Sequence, residues 1–235
     1  MDAQSVSAVV AQLTTPLMAD ACLRLGVAVR LAPPGIRPVK PGMLVTGRAL
    51  PVRHYGSVDV FLEAFENSQQ GDVLVIDNEG RLDEGCIGDL TVLEAKSAGL
   101  AGMVVWGCHR DTAEILDIGF SVFTYGSWSA GPLRLDHRQA GALESAHFGN
   151  HLITKGDFLF GDDDGVLFVP LDQIEQIVAT ALSIQERERQ QAAKIRAGTS
   201  LREQLQFADY LAKREADPSY SFRKHLRSVG GAIEE

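Results

Sequence analysis

Two apolar runs decide the fold class of this chain: Gly71-Asp72-Val73-Leu74-Val75-Ile76-Asp77 and Gly102-Met103-Val104-Val105-Trp106. Each is short and continuous, as in strands that are buried on both faces. Between them lie a glycine-punctuated loop over 78–88 and a helix predicted over 89–98. A strand, a loop, a helix and a second strand in this order favour parallel pairing of the two strands. The sequence therefore predicts an α/β protein.

Further elements are predicted on both sides of this unit. Residues 43–52 predict a strand and residues 58–67 a helix, after a proline-rich irregular connection over 31–41. Residues 133–150 give no readable pattern. Downstream we expect a helix over 112–118 and strands over 121–125, 150–154, 158–160 and 166–169.

Helices are predicted at both ends of the chain. Residues 6–26 predict two helices, with Thr15 as the N-cap of the second and Pro16 at its first position. A long helix over 171–197 carries one apolar stripe and ends at a glycine. A second helix over 201–215 and a polar tail follow, so residues 199–235 are predicted to form a helical extension that packs on a neighbouring subunit.

Composition excludes several classes of function. Lysine and arginine total 22 against 31 aspartates and glutamates, and the net charge of −9 disfavours nucleic acid as a partner. No apolar run reaches the length of a membrane helix and the N-terminus lacks the pattern of a signal peptide, so we expect a cytoplasmic protein without membrane contact. The three cysteines, Cys22, Cys86 and Cys108, predict reduced, buried thiols rather than disulfides or a zinc site.

Familiar catalytic motifs are missing from the sequence. It contains no GxGxxG, no Walker lysine loop and no GxSxG, which disfavours nucleotide cofactors and serine hydrolysis. The six histidines include no HxH arrangement, and a dedicated zinc cage is not expected.

Charged residues gather instead around the ends of the strand–loop–helix–strand unit. Asp89 opens the predicted helix, and the free amides of Leu90 and Thr91 at its positive end favour a bound carboxylate or phosphate. Arg110 and Asp111 follow the second strand. Ligands of open α/β sheets gather at the carboxyl ends of strands, so we expect all these groups to face one crevice.

Such a crevice suits a small α-keto acid and a divalent metal. Arg110 would hold a carboxylate or enolate oxygen, and Asp111 would offer a hard oxygen ligand to Mg²⁺ or Mn²⁺, with Asp89 holding a metal-bound water. The spacing equally allows Asp89 to be only a helix cap, and Arg110 and Asp111 to be a surface ion pair of about 0 to 1 kcal/mol. Spacing alone leaves both interpretations open.

The arrangement of Asp89, twenty intervening residues and Arg110-Asp111 resembles the D-x20-R-D motif of the RraA-like family. The similarity runs from about residue 14 to 188. Its other matched blocks are Thr15-Pro16, Asp20-Ala21, Gly35-Ile36-Arg37-Pro38, the run 71–78, Gly88-Asp89-Leu90 and the run 161–166.

The resemblance implies a fold and an activity. The fold would be a four-layer αββα sandwich like the phosphohistidine swivelling domain, with residues 1–198 as the catalytic domain of a homotrimer or homohexamer that has its sites between subunits. The activity would be that of a class II pyruvate aldolase with oxaloacetate decarboxylase activity. Members of its enzymatic branch cleave 4-hydroxy-4-methyl-2-oxoglutarate or 4-carboxy-4-hydroxy-2-oxoadipate, which suggests aromatic catabolism.

The resemblance also implies roles for individual residues. Asp111 would ligate the metal, Asp89 would hold one of its waters, and Arg110 would bind the keto acid. A glutamate from the long helix of the neighbouring subunit would complete the site, with Glu186 as the first candidate and Glu188 as the second. The substrate carboxylate would lie against the start of the helix, at Gly88, Asp89, Leu90 and Thr91.

Some positions depart from the family pattern. Cys108 and His109 stand where small or aliphatic residues are usual before Arg-Asp, and Thr91 replaces a leucine or a small residue. His109 would be either a contact for a larger substrate or a buried histidine with satisfied hydrogen bonds. The alternative function is that of a non-catalytic regulator, like the ribonuclease E inhibitors of the family, which binds a protein.

Overall fold

The apolar run that starts at Val73 forms an inner strand of a mixed sheet in a computed structural model, which describes residues 9–10 and 12–230. The eight strands of the sheet are β1 (Arg30–Leu31), β2 (Arg37–Pro38), β3 (Val45–Arg53), β4 (Val73–Ile87), β5 (Gly102–His109), β6 (Val122–Thr124), β9 (Asp157–Asp162) and β10 (Gly165–Pro170). Their order across the sheet is β1-β10-β9-β3-β4-β5-β6-β2. The strands β7 (Ser145–Phe148) and β8 (His151–Thr154) form a separate antiparallel hairpin.

The centre of the sheet is parallel, as the apolar runs predict. β4 pairs in parallel with β3 and with β5, and Val75 lies opposite both Pro51 and Val104. β5 also pairs in parallel with β6, whereas the remaining neighbours in the sheet are antiparallel. The predicted α/β class is therefore confirmed, in the form of a mixed sheet.

Both faces of β4 are buried, which explains why its sequence is a continuous apolar run. Leu74 and Ile76 belong to one buried cluster, and Val73 and Val75 to another, because successive side chains of a strand point to opposite faces. The first cluster includes residues of three helices, α2 (Asp59–Glu66), α3 (Asp89–Ser97) and α4 (Thr112–Ile118), and the second includes residues of the β7–β8 hairpin.

The N-terminal cap differs from the prediction. The helix α1 (Thr15–Leu25) is capped by Thr14, whose hydroxyl oxygen accepts the Leu17 N–H, and not by Thr15. The Thr15 hydroxyl donates instead to Asp162 over 2.7 Å, which ties the helix start to β9. Residues 6–8 and 11 of the predicted preceding helix lie outside the described residues.

Other boundaries also change. β4 runs to Ile87 and β5 to His109, because both strands continue pairing beyond the apolar runs where the sequence predicted loops. The unreadable stretch 133–150 contains β7, and the supposed polar tail contains a helix.

The chain divides into two compact units, the first ending at Val178 and the second beginning at Ala179. The second unit holds most of α5 (Ile174–Arg196) and the short helices α6 (Leu201–Gln204), α7 (Phe207–Ala216) and α8 (Phe222–Val229). The rings of Tyr210, Phe222 and the buried His225 pack together within it. C-terminal helices are thus confirmed, whereas the boundary at residue 198, the packing on a neighbour and the αββα layering stay predictions.

No helix in the described part of the chain is both long and apolar enough to cross a membrane.

Candidate functional site

The path of β4 brings two distant parts of the chain together. Its pairing with β5 is regular as far as Asp77 opposite Trp106, and then shifts three times before Ile87 lies opposite His109. Extra residues in one strand bend it and redirect its side chains. Because of these irregularities, Gly88 lies beside the end of β5. Gly88 is the residue before α3.

Gly88 makes room for the carboxylate of Asp111. The Arg110 N–H donates to the Ile87 carbonyl over 2.9 Å, which places the residues after β5 against those after β4. A Cβ atom at Gly88 would overlap Asp111 Oδ2, although the extended backbone of Gly88 suits any residue. The Asp111 carboxylate therefore lies at the start of α3, as predicted.

Asp111 has an unusual backbone conformation. It is the N-cap of α4, with φ 58° and ψ 46°, and its side chain makes no capping hydrogen bond. The left-handed region costs most residues about 1 to 2 kcal/mol, with aspartate among the more tolerant types. The conformation does not serve to cap the helix, and it leaves the carboxylate free to face Gly88.

Arg110 lies beside Asp111 and is confined by glycines. Its Nε is 3.4 Å from Asp111 Oδ2, and the side chains of Arg110 and Asp111 are 48% and 36% exposed. A Cβ at Gly85 would come within 3.0 Å of Arg110 Cβ, and one at Gly131 within 2.9 Å of Arg110 Nη1. The arginine thus passes between two backbone segments and keeps an accessible guanidinium.

Asp89 occupies the first residue of α3. Its Oδ1 accepts the Leu90 N–H over 2.8 Å, so one of the two amides expected to bind substrate already has an acceptor. Gly88, not Asp89, is the N-cap residue, but the Asp89 carboxylate does satisfy one amide of the first turn, so the two interpretations of Asp89 stay open. Leu90 is 75% exposed and Thr91 is half-buried at the same helix end.

The two candidate glutamates lie in the second unit. Glu186 and Glu188 are exposed residues of α5, and Glu186 Oε1 accepts a hydrogen bond of 2.8 Å from Gln190 Nε2 one turn later. Both glutamates are exposed and helical, so neither burial nor backbone conformation favours one of them as the site residue. Their contribution to the site stays a prediction.

His109 is a buried histidine with satisfied hydrogen bonds, which confirms one of the two alternatives. Its Nδ1 lies 2.8 Å from the Thr124 hydroxyl and its Nε2 lies 3.0 Å from the Thr112 hydroxyl. Burial lowers the pKa of His109, so the ring is neutral at neutral pH. The neighbouring Cys108 and Cys86 are buried and unpaired, as predicted, and burial raises the pKa of both thiols.

A buried polar network lies behind the site, and no sequence pattern indicates it. Glu84, only 3% exposed, pairs with Arg134 across fifty residues, with 3.0 Å between Oε1 and Nη2. Asn78 Oδ1 accepts from both Arg134 and His54. No periodicity singles out Arg134, because it lies in the stretch with no readable pattern.

A magnesium or manganese ion fits the residues at this site. The described residues contain no cluster of three or more His, Cys, Asp or Glu that would form a protein cage. Mg²⁺, however, usually takes one or two carboxylates and keeps several waters. The half-exposed Asp111 carboxylate, which accepts no hydrogen bond from the described residues, is a donor of the right kind.

Comparison with known proteins identifies the family. The family described as RraA-like, Aldolase/RraA, matches residues 15–168, which is well over half of the chain. The chain belongs to the RraA-like family.

Relatives show how far the similarity extends. A protein of Aromatoleum aromaticum that carries the provisional name 4-hydroxy-4-methyl-2-oxoglutarate aldolase is 31% identical over 150 residues, which are 63% of this chain and 92% of that protein. Protein DlpA of Legionella pneumophila is 28% identical over 173 residues, which are 71% of this chain but only 28% of DlpA. The crystal structure of Streptomyces coelicolor RraAS2, described as an unusual member of the RNase ES inhibitor RraA protein family, is 26% identical. It matches with a TM-score of 0.68 over 82% of this chain and 98% of that chain.

Proposed function

We propose that this protein is a divalent-metal-dependent class II aldolase that cleaves a 4-hydroxy-2-oxo acid to pyruvate and a carbonyl product. The substrate would be 4-hydroxy-4-methyl-2-oxoglutarate or 4-carboxy-4-hydroxy-2-oxoadipate, and oxaloacetate would be decarboxylated at the same site. A relative at 31% identity named for such an aldolase supports the class of substrate.

One observation carries the proposal: Arg110 and Asp111 lie side by side at the start of α3, with the carboxylate against Gly88. A cation and a hard oxygen ligand, both accessible and next to a positive helix end, suit an anionic keto acid. An ion pair with a merely structural role would need neither the left-handed Asp111 nor the absence of a side chain at Gly88.

Each residue at the start of α3 has its own role in the proposed reaction. Asp111 would hold Mg²⁺ or Mn²⁺, which when bound acts as a Lewis acid toward the keto acid. Arg110 binds the keto acid and stabilises the negative charge that develops on the enolate oxygen. The start of α3, at Gly88 and Thr91, binds the substrate carboxylate through backbone amides.

The acidic residues of the proposed site transfer protons. Asp89 holds a water at the helix start and, with Glu186 of the partner subunit, removes the proton of the substrate hydroxyl and later returns one to the enolate. Glu188 is the second candidate for this position. The resemblance to the RraA-like family assigns this glutamate to a neighbouring subunit, so the proposal includes a homotrimer or homohexamer with sites between subunits.

The experiment measures pyruvate release from oxaloacetate with Mg²⁺, with Mn²⁺ and with EDTA. We expect metal-dependent turnover in the wild type, and a loss of about a hundredfold to a thousandfold in Asp111→Asn, as for removal of a group that stabilises a developing charge. The matched control is Asp172→Asn, because Asp172 is an exposed aspartate of the 3₁₀ turn before α5. Turnover that survives EDTA or Asp111→Asn would contradict the proposal.

The runner-up is a non-catalytic regulator of the RraA type that binds a protein. The similarity to the RraAS2 structure favours it, because that structure is described as a member of an RNase inhibitor family. Wild-type protein that releases no metal-dependent pyruvate from oxaloacetate or from the two 4-hydroxy-2-oxo acids would favour this function over the aldolase.

A further inference from the structure

The segment 126–136 crosses the second half of β4 and is held there by few backbone contacts. It contains no helix and only one isolated bridge, at Ser127. The Trp128 N–H donates to the His109 carbonyl over 2.7 Å, and the Gly85 N–H donates to the Ala130 carbonyl over 2.8 Å. Near the other end, the Asp136 N–H donates to the Tyr55 carbonyl over 2.9 Å.

Apolar burial does not hold this segment in place. Leu133 is fully exposed, Leu135 is 74% exposed and Trp128 is 46% exposed. A segment whose large apolar side chains face solvent gains little from the hydrophobic effect. Its position therefore depends on its polar contacts.

The strongest polar contact is the ion pair of Arg134 with Glu84. Arg134 Nη2 lies 3.0 Å from Glu84 Oε1, and Arg134 Nε lies 3.2 Å from both carboxylate oxygens. The side chains are 15% and 4% exposed. The Arg134 guanidinium also donates to Asn78 and pairs with Asp136. A shielded guanidinium with contacts of this kind fixes direction as well as distance.

The same segment forms one wall of the space that contains Arg110. Gly131, three residues before Arg134, lies so close to Arg110 that a Cβ there would be 2.9 Å from Nη1. The opposite wall includes Gly85, the residue after Glu84, with a Cβ position 3.0 Å from Arg110 Cβ. The ion pair thus joins the two walls next to the arginine.

We propose that Glu84 and Arg134 form a clamp that closes the segment 126–136 over β4 and thereby positions the Arg110 guanidinium for the keto acid. The part concerning the keto acid rests on the proposed function. Glu84 and Arg134 are positioning residues, because they lie behind the walls and act through the backbone around Gly85 and Gly131.

Loosening of the clamp would act on Arg110 because little else fixes its guanidinium. Its ion pair with Asp111 spans 3.4 Å, and no hydrogen bond to it is found among the described residues. Small displacements of a positioning group weaken reactions strongly, on the order of a hundredfold for 1 Å.

The first test measures amide hydrogen exchange of the full-length chain and does not depend on any activity. We expect Arg134→Gln to speed exchange at Trp128, Gly85 and Asp136, whose amides make the contacts of the segment, while β3 and β6 exchange as in the wild type. Arg138→Gln is the matched control, because Arg138 forms an exposed ion pair with Glu63. Exchange that is unchanged in Arg134→Gln, or faster throughout the sheet, would overturn the clamp.

The second test is a double-mutant cycle on kcat/KM for oxaloacetate. We expect Arg134→Gln to lower kcat/KM about tenfold to a hundredfold in the wild type, and by less than about threefold when Arg110 is already Ala. A residue that only stabilised the fold would lower both backgrounds equally, and that result would overturn the positioning role.

A variant that fails to fold does not end the test. Arg134→Lys keeps the positive charge beside Glu84 but loses the multiple contacts of the planar guanidinium, so we expect the same exchange pattern with a smaller effect. Wild-type protein without keto-acid turnover would remove the proposed function, whereas the exchange experiment would still decide for or against the clamp.

Discussion

Two arginine–carboxylate pairs of the first unit have the same chemistry and opposite surroundings. Arg110 and Asp111 are 48% and 36% exposed and lie 3.4 Å apart, whereas Arg134 and Glu84 are 15% and 4% exposed and lie 3.0 Å apart. Exposed pairs contribute little to stability, and buried pairs are costly to break. The first pair is therefore available for a ligand and the second is committed to the fold.

The backbone shows the same division. Asp111 adopts a left-handed conformation that gains no capping hydrogen bond for α4. Arg134 lies in an irregular segment but bonds to residues on both halves of β4, Asn78 and Glu84. A strained backbone that gains no hydrogen bond for its helix points to a ligand, and several buried hydrogen-bond partners point to a structural role.

The largest expected effect comes from removing the exposed arginine. Arg110→Met should lower kcat/KM for oxaloacetate by about a thousandfold, because the enolate charge loses its cation. The free energy of unfolding should change by less than about 1 kcal/mol, as for other exposed pairs. Steady-state kinetics and urea titrations of the same samples measure both values. A large loss of stability in Arg110→Met would contradict the proposed difference between the exposed and the buried pair.

The buried pair should respond in the opposite way to the same substitution. Arg134→Met should lower the free energy of unfolding by about 3 kcal/mol, because it leaves the Glu84 carboxylate buried with weaker partners. The double variant Glu84→Leu with Arg134→Met should recover most of this loss, since no unpaired charge remains. Urea titration of the three variants measures the coupling, and simple addition of the two single effects would contradict it.

Substitution of Gly88 tests whether the position of the Asp111 carboxylate in the exposed pair affects activity. In Gly88→Ala the new Cβ displaces the Asp111 carboxylate, and we expect kcat/KM to fall about tenfold to a hundredfold while the fold is kept. Gly156→Ala is the control, because a Cβ there meets only the Thr154 hydroxyl at an ordinary 3.5 Å. Equal activity of the two variants would show that the Asp111 position is not critical.

The smallest expected effect is the pH dependence of the free energy of unfolding. Burial lowers the pKa of His54 and His109 below the ordinary 6.5, so the unfolded chain binds more protons than the folded chain in that range. Their contribution to stability is complete above pH 6.5 and is lost as the pH falls through the folded pKa values. We expect the free energy of unfolding to fall with pH below about 6.5.

Replacement of the histidines tests this origin of the pH dependence. His54→Gln with His109→Gln should flatten the dependence, whereas the exposed His137→Gln should leave it unchanged. Denaturant titrations between about pH 7.5 and 5.5 measure the slope, and an unchanged slope in the double variant would assign the pH dependence to other groups.

The central elements were predictable because their signals are local. A continuous apolar run such as 73–77 predicts a doubly buried strand, and the helix over 112–118 has the predicted bounds. The spacing from Asp89 to Arg110-Asp111 indicates the family from the sequence alone. The prediction of Thr15 as the cap is wrong, because two adjacent threonines are equivalent in sequence and only the tertiary contact with Asp162 distinguishes them.

The sequence by itself determined the α/β class, the parallel strands around 71–106 and the candidate residues Asp89, Arg110 and Asp111, because periodicity and motif spacing are read directly from the order of residues along the chain. Only the tertiary structure decided that β4 continues irregularly to Gly88, that this glycine faces the Asp111 carboxylate, and that Glu84 pairs with Arg134. The physical reason is that those contacts join residues separated by twenty to fifty positions. Their energy depends on burial and direction, which exist only once the chain has folded.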